Sequence, residues 1–427
     1  MQSLLSMKKV LVFAYYFPPL GLSGVQRTLA FVKYLRHYGW EPTVITVGDI
    51  GYYAHDTEML KEVQSLGIQV IRTDSFDPHS LRRHKRTYSM PKERMRKLYS
   101  ILSETFLIPD TKIGWKRYAL SAAIKELSKN SYDCIFSTAP PYTSHIIATE
   151  LGSRFSIPVV LDYRDAWVDY PFKRYVTPFH TFLHEKMEKK VLQSSHAVIT
   201  AAQSIYSPMS NRYKDLFTNK ASIISQGFDP VYFLNNNKRL ISKEQTVVIT
   251  YSGVFYEDRT PEYFLEAVAQ LVKSYPLLRP KIQLWFIGIF REEHKKIIEK
   301  KGLTDIVTLW GYLPHDQCVH LLLQSDILWA MMMDDCSTPG KIFEYIGAQK
   351  HILGCVPPDG AMADIILQCN GTVVSPDNAE QIQQSLLLLI NKWSEGKLPV
   401  VDDETRNMYN REILTKKLSE VLNSVSL

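Results

Sequence analysis

Residues 8–47 place a tight limit on what this chain can fold into. An apolar strand, "KKVLVFA", is followed by the loop "YYFPPLGLSG". Next comes "VQRTLAFVKYLRHYG", whose apolar residues recur at helical spacing and which stops at Gly39, and then the strand "PTVITV". Glycine just past the last helical residue ends a helix because it takes the left-handed conformation at no Cβ cost. A strand, a helix and a second strand in so short a span predict a parallel pair, since parallel strands need a crossover connection and a helix supplies it.

The alternation continues. Strands are predicted at 68–73, 132–138, 158–163, 196–201 and 221–227. The polar stretch "VYFLNNNKRLISKEQ" at 231–245 reads as a linker, and beyond it the pattern restarts. The strands there are "TVVITYSG", "KIQLWFIG", "IVTLWGY", "DILWAMM", "HILGCV" and "GTVVSP", with helices between them near 260–275, 291–301, 314–324, 339–348, 360–369 and 378–394. A chain of 427 residues is too long for one compact core. Two β/α runs of similar size predict two doubly wound, Rossmann-like α/β domains, at 1–235 and 246–400. Segment 401–427 reads as helical and is expected to cross back to the first domain. Ligands of such sheets bind beyond the carboxyl ends of the strands, so two such domains are expected to face each other across one cleft.

Bulk properties exclude several classes. The chain is 45% hydrophobic and 22% charged, which is globular rather than disordered. Five cysteines without a C-x-x-C pair argue against a disulfide framework and against structural zinc. The N-terminus has a short apolar run after two lysines, unlike a secretory signal, and no stretch reaches transmembrane length; a cytoplasmic protein is expected. The net charge of +6 is local. Residues 81–97 alone carry +7, through Arg82, Arg83, Lys85, Arg86, Lys92, Arg94, Arg96 and Lys97 against one glutamate. With the apolar residues of 95–108, this segment is expected to form a basic amphipathic helix on an anionic membrane surface. No nucleic-acid-binding module accompanies it.

The polar motifs fall in loops that follow strands. In the first loop, Gly21 and Gly24 allow close backbone approach to a ligand, and the helix start beyond them offers free N–H groups to an anion, although G-x-G-x-x-G is absent. "STAPPYTSH" carries Ser/Thr residues, Thr138 among them, able to cap the next helix, and His145 reads first as a packed core histidine and only second as a site residue. "LDYRDAW" offers Arg164 and Asp165 as an acid/base pair or as a structural salt bridge. Gly253 ends the strand that opens the second domain, and Arg259 precedes Thr260-Pro261 at a helix start, where an arginine suits phosphate. "TPGKIFEYIG" puts Gly340 and Lys341 at a helix start with Glu344 three residues on. A lysine opposes the helix dipole there unless an anion is bound.

Taken together, these segments resemble the retaining glycosyltransferases of family 4, which have the GT-B fold, and in particular the cell-surface polysaccharide transferases. The resemblance runs over nearly the whole chain, and its most specific part is "TPGKIFEYIGAQKHILG". It implies transfer of a sugar from a nucleotide-diphosphate donor to a glycan acceptor, carried on a polyprenyl diphosphate, on the inner face of the plasma membrane. Arg259 and Lys341 would hold the diphosphate and Glu344 the ribose; Gly21 and Gly24 would lie near the donor phosphates or the acceptor, and Thr138 and His145 on the acceptor side. Arg164-Asp165 would stand where many relatives have a His-Asp pair beside the reacting sugar. No cofactor and no metal are expected; the adjacent acids Asp334 and Asp335 have no companions at ligand spacing. One departure is visible: the first of two glutamates found in many relatives falls on Cys336, with Asp335 next to it. A GT-B-like nucleotide-sugar epimerase and a non-catalytic, membrane-docked nucleotide-binding scaffold are the alternatives.

Overall fold

The computed structural model describes residues 7–21, 23–52, 55–78, 80, 105–171, 173, 175–234, 246–255 and 259–426. The basic segment 81–97 lies outside these residues. The chain divides into two compact units, Met1–Gln226 with Arg411–Leu427, and Gly227–Asn410.

The first unit is built on β1 (Lys8–Phe13), β2 (Trp40–Val47), β3 (Gln69–Thr73), β4 (Cys134–Ala139), β5 (Val159–Tyr163), β6 (Ala197–Thr200) and β7 (Ala221–Ile223). They form one sheet in the order β3-β2-β1-β4-β5-β6-β7, and every pairing is parallel. Every residue of β4 and β5 is buried. This is why these strands read as mainly apolar runs without alternation: helices cover both faces of a parallel sheet. The helix Arg411–Val425 belongs to this unit and sets Leu414, Leu418 and Leu422, at helical spacing, into its core. The short helix Asp403–Met408 before it belongs to the other unit.

The second unit is built on β8 (Val247–Ser252), β9 (Ile282–Ile287), β10 (Val307–Gly311), β11 (Ile327–Met331), β12 (His351–Cys355) and β13 (Thr372–Val374). Their order is β10-β9-β8-β11-β12-β13, again all parallel. All thirteen predicted strands are present. The helix predicted at 339–348 is only Lys341–Gly347, with Pro339 and Gly340 forming the turn before it; the amide of Ile342 donates to the Pro339 carbonyl at 3.1 Å.

Both sheets reverse direction of winding once, between β1 and β4 and between β8 and β11. At such a switch point adjacent crossovers leave in opposite directions and open a crevice at the strands' carboxyl ends. The candidate residues follow β1, β4 and β5 in one unit, and β8 and β11 in the other. No described helix is long and apolar enough to cross a membrane.

Candidate functional site

In the first unit, the loops at the switch point are tied together from inside. Arg164, just past β5, donates Nε to the Ala139 carbonyl at 3.3 Å, and its two terminal nitrogens to the carbonyls of Gly24 and Pro140. One guanidinium therefore fastens the loops after β1 and β4 to the loop after β5. Gly24 makes room for this clamp: a Cβ there would stand 2.8 Å from Arg164 Nη1 and displace the guanidinium. Gly21 is buried just before it. Asp165 is half-buried, and burial raises its carboxyl above the usual range, with Arg164 partly offsetting this. Its carbonyl and that of Ala166 accept the Tyr142 hydroxyl, at 3.3 and 2.7 Å, while the Tyr142 ring stacks on Trp167 at 4.7 Å.

The salt bridge of this region is not between Arg164 and its neighbouring acids. Asp162 is fully buried and pairs with Arg27, whose Nη2 lies 2.8 Å away and which also donates to the carbonyls of Ile224 and Ser225. Thr138 completes the network by donating to Asp162 at 2.8 Å. His145 is buried, with Nδ1 2.8 Å from the Ser137 hydroxyl and its ring on Tyr163. Burial lowers its pKa to about 3, so it is neutral at physiological pH. The helix Thr143–Phe155 has no cap from its own Ser/Thr residues. Asp110 supplies one instead, accepting the Thr143 amide and hydroxyl, both at 2.9 Å. The sequence carried no signal for Arg27 or Asp110, because their partners lie far along the chain.

The second unit is arranged differently. Gly253, at φ +138°, follows β8, and a Cβ on it would sit 3.4 Å from Lys341 Nζ. The Lys341 ammonium stands 3.7 Å above the centre of the Tyr251 ring, which is itself stacked on Phe255 at 4.2 Å. Burial, and then repulsion from Arg259, push Lys341 well below the ordinary lysine range. No hydrogen bond or ion pair among the described residues engages this ammonium. Arg259 lies 4.0 Å from Asp334, at the limit of an ion pair.

Asp334 shapes the loop after β11. Its Oδ1 accepts the amides of Cys336 at 3.2 Å and Ser337 at 2.7 Å, and the Cys336 thiol at 3.4 Å. Burial alone would raise the Asp334 carboxyl, but these donors hold it below the usual range. Burial pushes the Cys336 thiol up to about 11, so this position carries no negative charge near neutrality. The Asp335 side chain is exposed, and its carbonyl accepts the Ala361 amide at 2.8 Å. Gly340 and Lys341 lead into the short helix, and Glu344 follows on its first turn. Glu344 Oε1 lies 3.2 Å from His315 Nε2, while Oε2 is buried with no hydrogen-bond partner among the described residues. Sequence reading missed His315, which opens the helix His315–Gln324, and Tyr251 at the end of β8. Nothing in their local patterns distinguishes them from ordinary surface and core residues.

The second unit thus gathers two cations and a half-satisfied carboxylate at the carboxyl end of its sheet, an arrangement that suits a ligand with both anionic and hydroxyl groups. Comparison with known proteins bears on which ligand. Residues 234–410 match the family model of glycosyl transferases group 1. No curated protein sequence matches the chain. Among solved structures, a glycosyltransferase from Rickettsia africae is similar at 15% identity and a TM-score of 0.65, over 98% of each chain. HepE from Anabaena, in complex with UDP and glucose, is similar at 13% identity and a TM-score of 0.63, over 98% of this chain and 100% of its own. WaaG, a glycosyltransferase involved in lipopolysaccharide biosynthesis, is similar at 15% identity and a TM-score of 0.58, over 97% and 99% of the two chains. The chain therefore has the GT-B fold, two Rossmann-like units in succession, and its second unit is the part that resembles the glycosyl transferases group 1.

Proposed function

We propose that this protein transfers a sugar, with retention, from a nucleotide-diphosphate sugar to a lipid-linked glycan acceptor in surface polysaccharide synthesis. The observation that carries the reading is the pair Lys341 and Glu344 on one short helix: among the described residues, an ammonium without a counter-charge and a buried carboxylate oxygen without a donor. A diphosphate supplies the first and a ribose hydroxyl the second. HepE, of the same fold, has been solved with UDP and with UDP-glucose.

On this reading the leaving diphosphate gains negative charge as the glycosidic bond breaks. Lys341 and Arg259 stabilise that charge at the moment it develops, in a partly desolvated site where a cation acts more strongly than in water. Gly253 turns the backbone beside Lys341 and Tyr251 through a left-handed conformation, φ +138°, that glycine adopts without strain. In the acceptor-binding unit, Asp165 is assigned to the reacting end, its raised carboxyl pKa bringing it closer to the range useful for proton transfer. Arg164 positions Asp165 by locking the three loops, rather than by touching substrate. Gly21, Thr138 and His145 shape the acceptor side. No neighbouring carboxylate pair of glycosidase type is at hand, which favours displacement on one face of the sugar. The acceptor is placed at an anionic membrane, with segment 81–97 contributing its charge.

Calorimetric titration with UDP-, GDP- and ADP-sugars, followed by transfer to a polyprenyl-diphosphate-linked acceptor and assignment of the product's anomeric configuration, tests this. Lys341→Ala is expected to weaken nucleotide binding about a hundred-fold, and Glu344→Ala about ten-fold, with the fold intact. A product formed without any acceptor points to an epimerase, and binding without turnover to a scaffold. Unchanged nucleotide affinity in both variants overturns the donor site.

A further inference from the structure

Helix Pro178–Gln193 of the first unit presents an unusual face to solvent. At helical spacing it exposes Phe179, Phe182, Lys186, Lys189 and Lys190, with Phe179 64% and Phe182 57% accessible. Two solvated phenylalanines one turn apart cost hydration free energy that an ordinary surface helix avoids. The apolar end continues into Val176, and a groove of about 420 Å³ lies between Tyr175, Val176, Thr181 and Phe182. Phe106 is 79% exposed, and its neighbour Thr105 is held on the helix by the contact of its carbonyl with His180 Nε2 at 3.2 Å. The acids nearby do not oppose the lysines: Glu185 and Asp169 both pair with Arg212, and Glu188 is buried, accepting the Tyr213 hydroxyl at 2.7 Å. No ion pair among the described residues engages Lys186, Lys189 or Lys190.

We propose that this face docks on an anionic phospholipid bilayer, with Phe106, Phe179 and Phe182 entering the headgroup region and the three lysines resting on the lipid phosphates. Aromatic side chains followed by cations along one helix match the order of layers in a membrane interface, where apolar burial and attraction to anionic lipid act together. A second copy of the chain fits less well, because an isologous contact of this face would bring like charges together. The inference rests on the reading of the acceptor as lipid-linked. To the charge expected of segment 81–97 it adds a described helix face that carries both aromatic side chains and lysines.

The test is co-sedimentation of the full-length protein with phosphatidylcholine vesicles, with and without phosphatidylglycerol. Wild type is expected to bind the phosphatidylglycerol vesicles and to protect residues 178–193 from hydrogen exchange. Phe179→Ser/Phe182→Ser is expected to lower that partitioning about ten-fold or more. Lys186→Gln/Lys189→Gln/Lys190→Gln is expected to lower it roughly a hundred-fold and to erase the preference for anionic lipid. Both variants are expected to keep the wild-type melting temperature and nucleotide affinity. Wild-type partitioning by both variants overturns the proposal, as does absence of protection at 178–193, or a dimer that the Phe variant dissolves while no vesicle binding occurs. Nucleotide titration without vesicles reads the donor site separately, so either inference can fail alone.

Discussion

The two switch points use polar residues in opposite ways. In the first unit nearly every charged group near the crevice is consumed by the protein itself: Arg164 by three carbonyls, Asp162 by Arg27 and Thr138, Asp110 by the end of a helix. In the second, Lys341 has no counter-charge among the described residues, its neighbour Arg259 repels it, and one oxygen of Glu344 is buried unpaired. A satisfied network rigidifies loops, whereas an unsatisfied one stores a preference for whatever completes it. The first unit has built a fixed platform, while the second leaves a cation and a carboxylate oxygen for a ligand to complete, as the proposed donor site requires.

The contrast can be broken most forcefully at Arg27. Arg27→Met leaves Asp162 buried and uncompensated, and the first unit is expected to lose about 3–5 kcal/mol, read by urea unfolding. A small loss would mean that the platform does not depend on its internal pairing. Acid gives a second, somewhat smaller effect. Burial holds the folded pKa of His145 at about 3, below the ordinary histidine value of 6.5. Between these values the unfolded chain binds a proton that the native state does not. Stability is therefore expected to fall as pH falls from about 6.5 toward 3, by a few kcal/mol, and His145→Asn is expected to flatten that limb of a melting-temperature profile. The smallest stability change belongs to the other unit. Lys341→Met removes a cation held against another, so the ligand-free protein is expected to keep its stability or gain up to about 1 kcal/mol, while stabilisation by added nucleotide is lost. For the same reason, nucleotide binding at alkaline pH is expected to take up a proton in wild type and none in the variant. Calorimetry in two buffers of different ionisation enthalpy measures it.

Much of the fold was legible because parallel strands buried on both faces leave mainly apolar runs without alternation, such as "CIFSTA" and "HILGC", between helical periods. The position of Gly24 was legible too, but its cause was not: the expectation was a ligand, and the structure shows the Arg164 guanidinium filling the space. Arg164 and Asp165 invited a local salt bridge because they are adjacent; sheet order instead brought Arg27 to Asp162 from 135 residues away. The cap of helix Thr143–Phe155 was expected from its own Ser/Thr residues and comes from Asp110.

By itself the sequence determined the thirteen strands, their parallel pairing, the restart after the linker, and the Pro-Gly turn and helix that carry Lys341 and Glu344, since these depend on periodicity and on turn residues close together in the chain. Only the tertiary structure decided which polar groups are already satisfied. That depends on the order in which strands lie side by side, and so on partners that no local pattern encodes. Burial then turns each pairing, or its absence, into free energy, because a charge withdrawn from water must find its complement in the protein or in a ligand.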